Sequence, residues 1–297
     1  MRQVAFIGFG EAAYYIAKGL KESGVTDMAA YDVNYKKGAS PVMGRRAEGA
    51  GVLLTEDGKE AWQSARFVLA LTNGKVALET ADQVLPYLQE GQIYVDMNSA
   101  SPVVKRKIAE IPHSQGVALC DAAVMATVPK KGHRTPMFLA GGGAKAFAEE
   151  MSPYGMNLTV LEADLGGASA IKMIKSVVMK GLPQLMFEAF EAAEQYGVLD
   201  TLVQSLNGSL SGQSIEDLAN TFIARTMIHA GRRAGEMEDV VSTLKDLGVD
   251  PSMSEATVKK LHRLEEEKWA DVLGADGGSM DYKSAMKLLI EKRRNES

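Results

Sequence analysis

The sequence predicts an α/β fold: a doubly wound parallel sheet at the N-terminus, followed by an all-α C-terminal region. Three observations carry this. Short runs apolar on both faces alternate with amphipathic stretches through the first half, as in a parallel sheet covered by helices on both sides. A glycine-rich turn stands directly between the first such run and the first helix. After about Glu162 strand signals stop and only helical periodicity continues, which sets the division at residues 1–162 and 163–297.

Taken in order, Val4-Ala5-Phe6-Ile7 reads as the first strand, residues 12–21 as a helix, and Met28-Ala29-Ala30-Tyr31 as the second strand. Phe67-Val68-Leu69-Ala70-Leu71 and Ile93-Tyr94-Val95 are further buried strands. Val117-Ala118-Leu119 and Met137-Phe138-Leu139-Ala140 continue the pattern, and residues 157–161 form the last strand. Beyond them Ile171, Ile174, Val177, Val178, Leu182, Leu185, Met186 and Phe190 recur at three- and four-residue steps. That spacing predicts one long helix over 167–196, kinked near Pro183. Later helices are expected at about 214–229, 232–247, 254–273 and 280–294, with residues 247–251 as a stop and a new start.

Composition narrows the classes. With 46% hydrophobic and 24% charged residues, a packed core is easily built. A net charge of −5, with Lys and Arg in short scattered clusters, argues against a nucleic-acid binder. Cys120 is the single cysteine, so no disulfide can close within the chain. His113, His133, His229 and His262 lack metal-ligand spacing, and no metal is expected. No apolar run reaches the roughly 18 residues of a membrane span, and no charged leader precedes the first strand. A soluble cytoplasmic protein is therefore expected. The long helix carries more apolar surface than one on a monomer's outside needs, which points to a homodimer.

Gly8-Phe9-Gly10-Glu11-Ala12-Ala13 is a G-x-G-x-x-A turn in the context its mechanism demands, after a strand and opening a helix. Gly8 permits the tight turn, Gly10 lets backbone approach a pyrophosphate, and Ala13 allows close helix–strand packing. The helix N-terminus then offers N–H groups to phosphate. This is a Rossmann-type cofactor site, and residues 1–162 read as a dinucleotide-binding domain. Asp32, closing the second strand, suits the ribose hydroxyls of NAD and repels a 2′-phosphate. Lys36, Lys37, Arg45 and Arg46 follow it and leave NADP open. Leu71, Thr72 and Asn73 end one strand at the cofactor edge. Asp96-Met97-Asn98-Ser99 ends another, so Asn98 and Ser99 are candidates for hydrogen bonds to carboxamide or substrate. A plain helix entry before Pro102 explains that segment as well.

Three segments together resemble the β-hydroxyacid dehydrogenase superfamily, which includes 6-phosphogluconate and 3-hydroxyisobutyrate dehydrogenases and to which imine reductases are related. They are the glycine turn, Asp121-Ala122-Ala123-Val124-Met125 in place of a D-A-P-V-S-G-G substrate segment, and Gly166-Gly167-Ala168-Ser169-Ala170-Ile171-Lys172 in place of a G-x-G-x-x-x-K segment. Ala168 to Met173, Lys180-Gly181 and Ile228-His229-Ala230-Gly231-Arg232-Arg233 look like a poorly characterised branch whose helical C-terminal domain has no known function. The resemblance implies that Lys172 is the acid/base residue and that Asn98-Ser99 lies near nicotinamide and substrate. It also marks departures. Met125 and Ala126 replace a Ser-Gly pair that holds a substrate carboxylate. Ser176 stands for a substrate-orienting Asn, and Lys175 for an Asn or His one position earlier.

A lysine suits this chemistry. Oxidising an alcohol removes a hydride, which nicotinamide accepts, and a proton, which a side chain must take. Lysine does so near neutral pH only if burial and a nearby like charge lower its pKa from about 10.4. Lys175, three residues from Lys172, is the expected like charge. Arg232, with Arg233, is a candidate for an acidic substrate group, or a surface charge. Three readings stay open: a dehydrogenase of small β-hydroxy or keto acids, a reductase of imines or less acidic carbonyls, and a dinucleotide-binding sensor without turnover.

Overall fold

Alternate residues of the first strand enter two different cores. β1 (Arg2–Ile7) sends Val4 and Phe6 to one face of the sheet and Ala5 and Ile7 to the other, and all four are buried. Such a strand lies inside a sheet with helices on both faces. The computed structural model describes residues 2–296. The chain forms two compact units, Met1–Val177 and Val178–Ser297.

In the first unit, β1 leads to α1 (Glu11–Glu22), β2 (Met28–Tyr31), α2 (Pro41–Ala50), β3 (Val52–Thr55), α3 (Gly58–Trp62), β4 (Ala65–Ala70) and α4 (Ala77–Val84). Then follow β5 (Ile93–Asp96), α5 (Pro102–Ala109), β6 (Ala118–Val124), α6 (Val128–Lys131), β7 (Met137–Ala140), α7 (Ala144–Met151) and β8 (Leu158–Val160). The eight strands make one sheet in the order β3-β2-β1-β4-β5-β6-β7-β8. The α/β class with a Rossmann-like first half and a helical second half is as the sequence predicts.

Three details of the sheet differ from expectation. β6 and β7 pair antiparallel, whereas the apolar runs suggested an unbroken parallel pattern. Their connection carries the four-residue α6 and a 3-10 turn at Gly132–Arg134, both packed beside α1, so the chain turns back instead of crossing over the sheet. β6 also runs on to Val124, through the charged Asp121, because that carboxylate is neutralised inside the structure as described below. The short β3, with Leu53 exposed at the sheet edge, was not anticipated.

α8 (Gly167–Gln195) starts in the first unit and continues through Pro183 into the second. The second unit adds α9 (Leu199–Leu210), α10 (Ile215–Ile228), α11 (Ala230–Asp246), α12 (Ser252–Glu266), α13 (Trp269–Leu273) and α14 (Tyr282–Asn295). The expected single helix over 254–273 is broken at Lys268, whose φ of 54° is left-handed. The break lets Trp269 enter a core with Ala224, Met227 and Ala285, while its indole N–H donates to Glu267 at 2.7 Å. Glu188, buried on α8, accepts the Ser254 N–H and hydroxyl at 3.0 and 2.7 Å and so satisfies the start of α12. Among the described residues no helix is long and apolar enough to cross a membrane.

Candidate active site

The site begins where side chains are missing. Gly8 has φ +85°, and a Cβ there would stand 2.6 Å from the Leu71 carbonyl oxygen. Only glycine fits, because the end of β1 is pressed against the end of β4. Gly10 differs: its φ is ordinary, and a Cβ would meet nothing within 4 Å. It opens α1, whose N-terminus has no side-chain cap, so Glu11, Ala12 and Ala13 begin a helix with N–H groups turned to open space. Ala13 is buried against the sheet. A cavity of about 460 Å³ lies here, lined by Gly8, Gly10, Asp32, Leu71, Thr72 and Asn73 among others. A vacated turn, an uncapped helix and an adjoining cavity fit a dinucleotide. When bound, nicotinamide supplies the hydride acceptor or donor.

Asp32 accepts the Phe9 N–H at 2.8 Å and the Asn34 N–H at 2.9 Å, one on each oxygen. The carboxylate thus braces the glycine turn while facing the cavity, and retains lone pairs for ribose hydroxyls.

Further along the sheet edge the construction changes. The parallel register of β5 and β6 sets Asp96 beside Asp121, and both are buried. Between them stands Lys105 of α5, with no exposed surface. Its Nζ donates to the Asp96 carbonyl oxygen at 2.8 Å and lies 3.1 Å from Asp121 Oδ1. It is equally 3.1 Å from Asp96 Oδ2, an ion pair without hydrogen-bond geometry. Burial pushes the Asp96 carboxyl up, against the opposing pull of Lys105 and Asn98.

Each carboxylate also holds a neighbouring segment. Asp96 Oδ1 accepts the Asn98 N–H at 3.0 Å and its amide at 2.7 Å. Asn98 Oδ1 in turn accepts the Thr72 hydroxyl at 3.2 Å, linking this loop to the one after β4. Asp121 accepts the Ser169 N–H at 2.8 Å and its hydroxyl at 2.7 Å, at the first turn of α8. One turn on, Lys172 Nζ donates to Ser99 Oγ at 2.7 Å. Burial lowers the Lys172 pKa, Lys105 lowers it further, and Asp121 opposes them.

The structure therefore brings Asn98, Ser99 and Lys172 together, and corrects the origin of the like charge. It is Lys105, from another helix, and not Lys175, which is exposed. Ser176 is half-buried, and its hydroxyl donates to the Lys172 carbonyl at 3.2 Å. Met125 packs with Ala123, Ala140 and Ala168, leaving an apolar patch beside the start of α8, and Ala126 is exposed. Arg232 belongs to the second unit and pairs there with Glu236. The residue that sequence reading missed is Lys105. Its signal was the spacing to Ile108, which put both on the inner face of a short helix.

Comparison with known proteins points to the same cofactor class. Residues 3–154 match the NAD binding domain of 6-phosphogluconate dehydrogenase, and residues 193–264 match a domain of unknown function (DUF1932). A conserved hypothetical protein from Sinorhizobium meliloti is 31% identical, covering 98% of this chain and 97% of its own, with a TM-score of 0.65. The 2-(hydroxymethyl)glutarate dehydrogenase of Eubacterium barkeri is 25% identical over 221 residues, which are 71% of this chain and 70% of that enzyme. An imine reductase from Streptomyces aurantiacus shares the fold at 20% identity, with 97% and 99% of the two chains covered and a TM-score of 0.66.

Proposed function

The chain belongs to the family of the 6-phosphogluconate dehydrogenase NAD binding domain and is an NAD(P)-dependent oxidoreductase; from this premise we propose that it moves a hydride between nicotinamide and a small β-hydroxy or keto acid, with Lys172 as proton donor and acceptor. The observation that carries the reading is the Lys172–Ser99 pair. A half-buried amine with a lowered pKa is held at 2.7 Å by a hydroxyl beyond the carboxyl end of β5, the edge where ligands gather in such sheets.

In oxidation the neutral Lys172 amine takes the proton from the hydroxyl oxygen as hydride leaves the carbon that bears that hydroxyl. In reduction the ammonium returns it to the carbonyl oxygen. Ser99 orients the amine. Asp32 and the glycine turn bind the nucleotide, and the Asp32 carboxylate favours NAD over NADP. Residues 1–162 serve the cofactor, and 163–297 serve substrate and dimer contacts. The exposed apolar residues of α8, among them Ile174, Val177, Met179 and Phe187 at 60–73%, support a homodimer. Arg232 is a candidate for an acidic substrate group.

One observation favours a second reading. Met125 belongs to an apolar patch where the resemblance expects a carboxylate clamp, which suits an imine or a less acidic carbonyl. Initial rates with a panel of β-hydroxyacids and cyclic imines, each with NAD(H) and NADP(H), decide between them. Activity on hydroxyacids that Lys172→Met abolishes supports the first reading. Activity on imines alone replaces it with the second. Tight cofactor binding with no turnover on any panel member leaves a dinucleotide sensor.

A further inference from the structure

We propose that Lys105 is a positioning residue: by binding Asp96 and Asp121 to one ammonium it fixes the Ser99 loop and the first turn of α8 to each other, and so sets the place of the Lys172 amine and the field in which it stands. The inference rests on Lys172 being the proton-transfer group.

The argument starts from the register. Asp96 and Asp121 are Cα partners on paired parallel strands, so their side chains share a face. Two adjacent buried carboxylates repel strongly unless a cation lies between them. Lys105 is that cation, 3.1 Å from an oxygen of each. A single pair would have balanced one carboxylate. The second is retained, and each does separate work. Asp96 shapes the turn through Asn98, and Ser99 is the next residue. Asp121 grips Ser169 twice, one helical turn before Lys172. One end of the Lys172–Ser99 hydrogen bond therefore lies three residues from Asp96, and the other three residues from the serine that Asp121 grips, and Lys105 holds both carboxylates. With no exposed surface, Lys105 exchanges no proton with substrate, so it acts through these neighbours.

The charged groups acting on Lys172 come from three elements. Lys105 of α5 disfavours its protonation, Asp121 of β6 favours it, and Asp96 of β5 is engaged by Lys105. On its own helix Lys175 is exposed. Losing Lys105 should leave Lys172 more easily protonated as well as less firmly held.

Pulsed acetylation tests this without a known substrate. The full-length protein is treated with acetic anhydride across a pH series, and acetylation of Lys172 is quantified by mass spectrometry. In the wild type the midpoint for Lys172 should fall below that of exposed lysines, about 10.4. In Lys105→Met it should rise by about one pH unit. Lys105→Met/Asp96→Asn removes the cation together with one carboxylate. It keeps the packing and should show the same rise where the single variant does not fold. A residue that only stabilises the fold would lower the melting temperature and leave the midpoint in place. An unchanged midpoint in every variant that folds overturns the proposal. Lys172→Met, assayed for hydride transfer, is read separately: retained turnover overturns the proton-transfer reading itself, whatever the labelling shows.

Discussion

Beyond β1, β2 and β4 the sheet edge is shaped by taking side chains away, while beyond β5 and β6 it is shaped by packing charged ones in. At the first place Gly8 and Gly10 open a cavity, and the N-terminus of α1 carries no side-chain cap. At the second, Lys105, Asp96, Asp121 and Ser169 fill the space with ion pairs and hydrogen bonds, and Lys172 stands at its margin. On the proposed reading, the difference follows from what each place does. A dinucleotide brings its own charges and needs room and N–H donors. A proton-transfer group brings no ligand with it and must be held by the protein.

The widest separation between the two places comes from Lys172→Met. Turnover should fall about 10²–10⁴-fold while the dissociation constant for NADH, followed by fluorescence, stays the same. A loss of cofactor affinity instead would merge the two places into one. The pH dependence carries the same sign. Oxidation needs the neutral amine, so its rate should decline as pH falls through the lowered Lys172 pKa. Reduction needs the ammonium and should decline as pH rises through it. Stability follows by linkage. Between the lowered folded value and the ordinary 10.5 the unfolded chain holds more protons. Stability should therefore increase with pH across that window, and Lys172→Met should lose this slope in denaturant titrations.

Next in size is Lys105→Met, which leaves two buried carboxylates without their cation. A loss of about 3–5 kcal/mol in urea unfolding is expected, and a loss below about 1 kcal/mol would mean that the ion cluster is hydrated. The glycines give a smaller, divided effect. Gly8→Ala should destabilise by about 1–3 kcal/mol, because the turn is left-handed and the Leu71 oxygen is in the way. Gly10→Ala should leave the melting temperature unchanged and weaken cofactor binding about tenfold, or 1.4 kcal/mol. Equal stability losses in both would remove the argument that Gly10 is there for a ligand. The smallest effect is Asp32→Ala with Asn34→Arg, which should move the NAD-to-NADP affinity ratio toward NADP by up to about tenfold. No shift would mean that Asp32 only braces the Phe9 N–H.

The vacated half of the site was legible in the sequence and the packed half largely was not. Gly8, Gly10 and Asp32 are close along the chain and follow a strand of unmistakable period, so local pattern places them. Lys105 meets Asp96 across one loop, but meets Asp121 only through the pairing of β5 with β6. A charged residue on a short helix reads as solvated unless that pairing is known. Lys175 was credited with the like charge because i,i+3 spacing was all the sequence offered. In three dimensions Lys172 is half-buried and bonded to Ser99 while Lys175 is exposed. The direction of β7 was hidden for a related reason: an apolar run states that a strand is buried, not which way it runs.

The bond from Ser169 to Asp121 spans 48 residues and ties the sheet to a helix that follows all eight strands. During synthesis the entire sheet can therefore leave the ribosome while Asp121 still lacks its last two donors. A polypeptide cut after β8 would contain every strand of the cofactor domain and yet keep a buried anion only partly satisfied. Expressed alone, such a fragment should be prone to proteolysis, and extending it through the first turns of α8 should restore resistance.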